Sequence, residues 1–379
     1  MDFSLSTEHL MYQTALREFL KKNAPKEYIR KCDKERSFPT KVYEAAVAAG
    51  LVGVLIPEKY GGEGGDPIAL MLHSEEFGRA GIAGVGAQEM LAYPIMLSGT
   101  EAQKKFFLPM LVNGGKISFA VTEPNSGCDT FSLRTTAILD GDDYILNGQK
   151  AFVSQADSSD YMVVMTRTKK DVAKSWQGVT MFIVNSKSPG IEIKRMDMMG
   201  MWLISLCEVF FDNVRVPKEN VLGKVDEGWQ TMSGTIAMER TDAAASSLGV
   251  AEAAFEDALE YAKERHAFGK PIGQFQVIQH YLVDMYTQVE LARNIVYKSA
   301  WRNAQGKPSP AESAMAKLVA CETAVSVTDR GMRILAGHGL AGSDMQRYFR
   351  NARHAIAGGG TSEILKNYIG RTLGLPKTY

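Results

Sequence analysis

The chain has 379 residues, and its 43 lysines and arginines balance 43 aspartates and glutamates, so the formal net charge is zero. That balance excludes a strongly basic nucleic-acid-binding field and leaves any anionic ligand to be met by local charges. The length suffices for two or three domains with sizeable cores. No run approaches the roughly 18 apolar residues of a membrane span, and the opening MDFSLSTEHL has no basic segment leading into an apolar one, so no signal peptide is expected. Cys32, Cys128, Cys207 and Cys321 form no CxxC pair, which predicts free thiols in a reducing cytoplasm and no metal site.

Residues 1 to about 113 read as helical. Ser6 or Thr7 can cap a first helix with Tyr12, Leu16, Phe19 and Leu20 on one face, stopped by Asn23-Ala24-Pro25. Pro39-Thr40 opens another that ends at Gly50, and the glycine-rich stretch Tyr60 to Pro67 is a loop. No GK[ST] follows it, so a turn is expected there rather than a phosphate cradle. Thr100-x-x-Gln103 is a capping box for a helix ending at Pro109.

From Lys116 the pattern changes to short strands: Ile117–Val121, Arg134–Leu139, Tyr144–Leu146, Ala151–Val153, Tyr161–Thr166, Val179–Val184, Ile191–Arg195 and Glu208–Val216. Asp140-Gly141-Asp142 and Asn147-Gly148 are hairpin signals between them. Such spacing predicts a β-barrel or sandwich of roughly 100 residues.

After Pro217 the chain turns helical again. A long helix begins near Ile236, where Ala243, Ala244, Ala245, Ser246, Ser247 and Gly249 would let another backbone come close. Glu239-Arg240 lies at one end and Arg265 to Gly269 at the other, separated by about 40 Å at 1.5 Å per residue. Two ends so far apart cannot serve one small site in one subunit, which suggests an oligomer. Ile278, Leu282, Met285, Val289, Ala292 and Val296 form a later helical stripe, and Ser309-Pro310-Ala311-Glu312 is a strong helix start.

Arg265, Phe268, Gly269, Ile272 and Gln276 spell RxxFGxxIxxxQ after that long helix. The pattern resembles the acyl-CoA dehydrogenase family, and further matches recur along essentially the whole chain. FAVTEPNSGCD (Phe119–Asp129) resembles the TEPxAGSD segment, with Ser126 for alanine and Cys128 for serine. The resemblance implies that Phe119, Val121, Thr122 and Cys128 border the flavin, with Cys128 also near substrate. NGQKAFVS (Asn147–Ser154) resembles NGxKxxIS, which implies Phe152 beside the flavin ring and a Ser154 hydroxyl donating to N5. Without the resemblance, each of these strings is an ordinary strand-edge loop or hairpin.

Arg265, Phe268 and Gln276 map to residues that meet the FAD of a neighbouring subunit, where the guanidinium suits pyrophosphate. RILAG (Arg333–Gly337) resembles QxxGG at the same diphosphate, so Arg333 and Gly337 join the set. AGGGTSEI (Ala357–Ile364) resembles the GT(S/N)(E/Q)I motif, which assigns Thr361 and Glu363 to cofactor and Gly359 and Gly360 to the thioester carbonyl. Many short- and medium-chain members carry their catalytic glutamate at the position of Gly359. Members with glycine there place it immediately before the arginine matched by Arg240, and this chain has Glu239 at that place. By itself a helical glutamate reads as half of a surface ion pair; the coupled pair Gly359 and Glu239 reverses that reading. Glu89 and Glu363 are weaker rivals as base. Arg240 and Arg371 map to CoA contacts.

The resemblance therefore implies an α+β fold with an N-terminal α-helical domain (1–115), a middle β-barrel domain (116–225) and a C-terminal four-helix-bundle domain (226–379). It further implies FAD, an acyl-CoA substrate, α-proton removal by Glu239, β-hydride transfer to N5, and electrons passed to an electron-transferring flavoprotein by a cytoplasmic homotetramer. MDFSL, Cys32-Asp33, CEVFFDNV and GGGTSEI are most similar to members of the crotonobetainyl-CoA reductase type. An enoyl-CoA reductase running the reverse reaction is thus the alternative, with a non-catalytic acyl-CoA-binding relative behind it.

Overall fold

The computed structural model describes residues 4–85 and 88–376, without the side chains of 88–91. The N-terminal third is helical: α1 (Thr7–Asn23), α2 (Lys26–Glu35), α3 (Thr40–Ala48), α4 (Pro67–Arg79), α5 (Gln88–Ser98) and α6 (Glu101–Val112). Local capping sets several of these starts. Ser6 Oγ accepts from the His9 amide, Asp66 from the Ile68 and Ala69 amides, and Thr100 and Gln103 close a reciprocal box. α1 ends at Asn23 as expected, and α2 begins directly behind Pro25. Pro109, in contrast, does not end α6; it lies inside a helix that continues to Val112. Phe107, Leu108 and Leu111 are buried on both sides of the proline, and their burial outweighs an interior proline's cost of about 3 kcal/mol.

The middle of the chain is one sheet of β1 (Ile117–Ala120), β2 (Thr136–Asp140), β3 (Asp143–Ser154), β4 (Tyr161–Arg167), β5 (Val179–Asn185), β6 (Ile191–Arg195), β7 (Leu206–Pro217) and β8 (Val221–Leu222). The strand order is β6-β7-β3-β2-β4-β5-β8, with β1 parallel to β4. This corrects the expectation of a closed barrel. The end strands β6 and β8 do not pair, and β2 meets β4 through the single register pair Thr136↔Arg167. One face buries Leu146, Val164, Phe182 and Val209 within the sheet, while Val163, Met181 and Ile183 on the other pack against Phe107, Leu108 and Leu111 of α6. Helix cover on that face makes closure unnecessary.

Asp140 to Asp143 form the expected hairpin between β2 and β3. Asn147-Gly148 does not turn. It lies inside β3 at a register shift, where a Cβ at Gly148 would come within 2.6 Å of Thr135. The glycine serves a bulge and a close backbone approach instead.

The C-terminal region comprises α7 (Gly228–Ser233), α8 (Ile236–Glu264), the short β9 (His266–Ala267) and β10 (Lys270–Pro271), α9 (Gln276–Ala304), α10 (Pro310–Leu335), α11 (Gly337–Leu340), α12 (Asp344–Ala355) and α13 (Ser362–Thr372). α8, α9, α10 and α12 share one core containing Ala244, Leu248, Ala251, Met285, Val289, Val296, Ala320 and Tyr348. The α9 stripe is therefore buried within the chain, and its pattern needs no second subunit. The small residues of α8 admit α4 as expected: a Cβ at Gly249 would strike the Glu75 carbonyl, and one at Gly78 the Ser246 carbonyl. That close crossing brings α4 beside the first turns of α8. No described helix is long and apolar enough to cross a membrane.

Candidate active site

A cavity of about 420 Å³ lies where α4, the first turns of α8, the β1 and β3 ends and the loop before α13 converge. Six of the residues singled out from the sequence line it together: Phe119, Thr122, Phe152, Ser154, Glu239 and Gly359.

Glu239 sits in the first turn of α8, its amide bonded to the Thr235 carbonyl at 3.0 Å. Burial pushes its carboxyl above the ordinary range, against the opposing charges of Arg240 and Lys317. Among the described residues no donor hydrogen-bonds this carboxylate. A Cβ built at Gly359 would lie 3.7 Å from Glu239 Oε1, so a side chain from either position reaches the same spot. Gly359 and Gly360 have φ of +64° and +98°, and their amides have no acceptor among the described residues. The Gly360 carbonyl accepts from Lys317 Nζ at 2.8 Å, a lysine only 1% exposed on α10.

The opposite wall is the β1 and β3 end. The Ala151 amide donates to the Thr122 carbonyl at 2.9 Å, and Lys150, wholly buried, donates to the Val121 carbonyl at 3.0 Å and to Glu123 Oε1 at 2.8 Å. Arg134 and Thr135 amides also donate to Glu123. This knot fixes the Val121–Glu123 backbone. Phe152 (φ +57°) and Gln155 (φ +56°) bracket Ser154 in left-handed conformations. A non-glycine residue adopts that region at a cost of about 1–3 kcal/mol and clusters where function requires it.

A second cavity, about 440 Å³, opens at the far end of α8 and is lined by Tyr261, Arg265, Ile272, Leu335, Ala336, Gly337 and His338. Arg265 is exposed there, with no carboxylate partner among the described residues. Phe268, at the tip of the β9–β10 turn, is 95% exposed, and Gln276 is exposed at the start of α9. Arg265 and Gly337 thus come together. Arg333 does not join them, because it pairs with Asp329 at 3.0 Å, one turn back on α10.

The remaining positions are more scattered. Cys128 is exposed, its Sγ 3.9 Å from Thr361 Oγ1, and Thr361 caps α13 through the Ile364 amide. Glu363 is exposed in the first turn of α13. Arg240 lies over the Tyr368 ring at 5.1 Å, with Nε and Nη1 unpartnered. Arg371 is in the exposed last turn of α13 and lines neither cavity. The side chain of Glu89 lies outside the described residues. Among the described residues no cluster of His, Cys, Asp or Glu is arranged for a metal ion.

Two cavity residues, His73 and Asp242, escape the motif reading, as does Lys317, which bonds the Gly360 carbonyl beside the cavity. Lys317 is signalled only as a lone cation among the small residues Ser313, Ala314 and Ala316. Asp242 is signalled by its place three residues after Glu239, on the same helix face. His73 requires knowing that α4 crosses α8.

The main cavity fits a flavin ring. It offers a planar aromatic (Phe152), a hydroxyl (Ser154), a backbone edge held rigid by Lys150, and a glycine run that leaves the opposite side open. The comparisons agree. Family models for the N-terminal, middle and C-terminal domains of acyl-CoA dehydrogenases match residues 6–115, 118–214 and 226–374. The chain is 36% identical over 348 residues to a 3-(aryl)acrylate reductase of Clostridium sporogenes, covering 90% of this chain and 92% of the relative. It is 33% identical over 371 residues to subunit CarC of a caffeyl-CoA reductase–Etf complex of Acetobacterium woodii, covering 96% and 97%. Among solved structures, butyryl-CoA dehydrogenase from Megasphaera elsdenii superposes with a TM-score of 0.93 at 36% identity, covering 99% of this chain and 100% of that one. A FAD complex of PigA superposes at 0.92 with 26% identity, covering 99% and 100%. The chain belongs to the acyl-CoA dehydrogenase family of flavin-dependent oxidoreductases.

Proposed function

We propose that the protein is a FAD-dependent acyl-CoA dehydrogenase in which Glu239 removes the α-proton of a CoA thioester. The single observation that carries this is the common spot overlooked by Glu239 and Gly359: a Cβ at 359 would meet Glu239 Oε1 at 3.7 Å. A carboxylate is present there in a desolvated setting that raises its basicity. The unpaired amides of Gly359 and Gly360 suit a thioester oxygen that gains negative charge as the proton leaves. Lys317 holds the Gly360 carbonyl and so fixes the direction of that backbone. FAD, when bound, supplies the hydride acceptor for the β-hydrogen.

Phe119, Val121, Thr122, Phe152 and Ser154 would hold the ring, with Cys128, Thr361 and Glu363 along one edge. Arg265, Phe268, Gln276 and Gly337 would hold the diphosphate side of a neighbour's FAD, with Arg333 swinging off Asp329 to join them. Arg240 and Arg371 would meet the CoA moiety. Such sharing needs at least two subunits, and the family resemblance makes the assembly a homotetramer, built from domains 1–115, 116–225 and 226–379, working in the cytoplasm with an electron-transferring flavoprotein as electron acceptor. The exposed Phe268 and the unpaired Arg265, about 40 Å along α8 from Glu239, support a second subunit at that end.

Two relatives named as reductases, one of them in a complex with Etf, support a second reading, in which the same residues run enoyl-CoA reduction. Glu239 would then return the α-proton, a role equally served by a carboxyl whose proton affinity is raised. The test is direct. Purified protein should be yellow, release FAD on denaturation and bleach with an acyl-CoA thioester; recovery of FMN, or no bleaching by any thioester, contradicts the proposal. Arg265→Ala should loosen FAD and the oligomer together, and sedimentation of a monomer with full flavin occupancy would refute the shared site.

A further inference from the structure

One turn beyond Glu239, α8 presents a second carboxylate to the same cavity, Asp242. Residues three apart on a helix are neighbours, about 5–6 Å between Cβ atoms, so the two carboxylates stand side by side on one wall. Asp242 accepts a hydrogen bond from the Ser74 hydroxyl of α4, and no cation pairs with it among the described residues. Burial raises its carboxyl to about 6; the Ser74 bond opposes that shift and the charge of Glu239 adds to it. A buried acid beside a catalytic base is costly to ionise, and an alkyl chain would gain nothing from it.

His73 supplies an independent observation. It is 2% exposed, stacked on Phe77 at 4.1 Å, and lines the cavity with its Nε2 unpartnered. Burial lowers its pKa to about 4, against a bond to the Leu51 backbone. The ring is therefore neutral near pH 7. With the proton on the nitrogen that bonds Leu51, Nε2 is a lone-pair acceptor. The Ser74 hydrogen is already committed to Asp242. This end of the cavity thus offers Asp242, Ser74 Oγ and His73 Nε2 as acceptors.

We propose that the pocket selects an acyl-CoA whose acyl group carries a hydrogen-bond donor, a hydroxyl or an ammonium, about four bonds beyond the α-carbon, with Asp242 as the selecting residue. The inference rests on the acyl-CoA dehydrogenase reading of the same cavity. Three residues of helix, with about 5–6 Å between the two Cβ atoms, set the distance between base and selector. A site that sets the unpartnered His73 Nε2 beside Asp242 rejects a substrate with no donor, because a buried polar group is left without a partner.

The experiment uses FAD-loaded enzyme and anaerobic flavin bleaching with three matched thioesters: hexanoyl-CoA, 5-hydroxypentanoyl-CoA and 5-aminopentanoyl-CoA, repeated one carbon shorter and one longer. These differ only in a terminal methyl, hydroxyl or ammonium. The wild-type protein should favour a donor-bearing member over its alkyl match by at least about tenfold at one of the lengths. Asp242→Leu should lose that preference and gain on the alkyl arm. Asp242→Asn keeps the shape and should discriminate in favour of hydroxyl over ammonium. Alkyl preference at every length, or an equal effect of Asp242→Leu on all arms, overturns the inference while leaving Glu239 in place. If no thioester bleaches the flavin, the dehydrogenase reading itself falls and takes this inference with it. FAD content and the melting temperature separate either result from misfolding.

Discussion

Glu123 and Glu239 are both carboxylates held away from bulk water near a buried lysine, yet their environments drive them in opposite directions. At Glu123 burial pushes the pKa up, but Lys150, the Thr135 and Arg134 amides and their hydrogen bonds outweigh it, and the net value falls below the ordinary range. At Glu239 burial acts alone apart from the charges of Arg240 and Lys317, no donor among the described residues bonds the carboxylate, and the net value rises. The lysines differ in the same way. Lys150 gives its proton bonds to Glu123 and Val121, whereas Lys317 gives its bond to the Gly360 carbonyl and leaves Glu239 unbonded. A saturated carboxylate suits a structural pin; a desolvated and unsaturated one has the proton affinity that suits a base. Glu123 braces the backbone that carries the cavity residue Thr122, while Glu239 itself lines the cavity.

Breaking the half proposed as catalytic should produce the largest effect. Glu239→Gln preserves shape and removes the proton acceptor, so flavin bleaching by substrate should slow by roughly 10²–10⁴-fold while thioester binding persists. A stopped-flow trace at saturating substrate, with a parallel binding isotherm, checks both parts. Breaking the structural half should act on stability instead. Lys150→Met strands Glu123 in a buried site, which costs about 3–5 kcal/mol, and denaturant melts of the apoprotein should show it, together with looser flavin retention.

A smaller effect is expected from moving the carboxylate. Glu239→Gly with Gly359→Glu places it where the neighbouring backbone has its open space. Partial recovery relative to Glu239→Gln is expected, limited by the φ of +64° at 359, which costs a side chain about 1 kcal/mol. Recovery no greater than in a Glu239→Gly single variant would separate the two positions. Smallest of all, Ala336 carries φ +49° and ψ −126° ahead of α11, a region that glycine tolerates. Ala336→Gly should raise thermal stability by about 1 kcal/mol, and calorimetry would read it.

Much of this was legible in the sequence wherever the signal was local. The caps at Ser6, Thr100 and Ser309 are all formed, because a cap depends only on its next three residues. The Asp140–Asp143 hairpin is of the same kind. Asn147-Gly148 looked identical but answers to Thr135, a distant neighbour that no turn rule contains. Pro109 was misleading for the same reason, since burial of α6 overrides its helix-breaking tendency. Closure of the sheet is also a long-range property, decided by which strands find partners at β6 and β8.

At the site, Glu239 was legible only through its coupling to Gly359, and the two do face one another. The Asp242–Ser74 contact and the unpartnered His73 were not legible, because they exist only where α4 crosses α8. Arg333 shows the converse. Its motif position suggested a phosphate contact, but Asp329 one turn away on the same helix competes for the guanidinium.

The contrast between the two glutamates has one most direct measurement: the pH dependence of flavin bleaching by a thioester under single-turnover conditions. A base must be ionised to act, so a raised pKa places the acidic limb of the rate above the ordinary carboxylate range. The groups that bear on it are Arg240 and Lys317, which oppose the rise, and Asp242 on the next turn. The account predicts a rate that falls on acidification above the ordinary carboxylate range, a fall lost along with most of the rate in Glu239→Gln and unchanged in Glu363→Gln. A near-normal rate with the same limb in Glu239→Gln would contradict it.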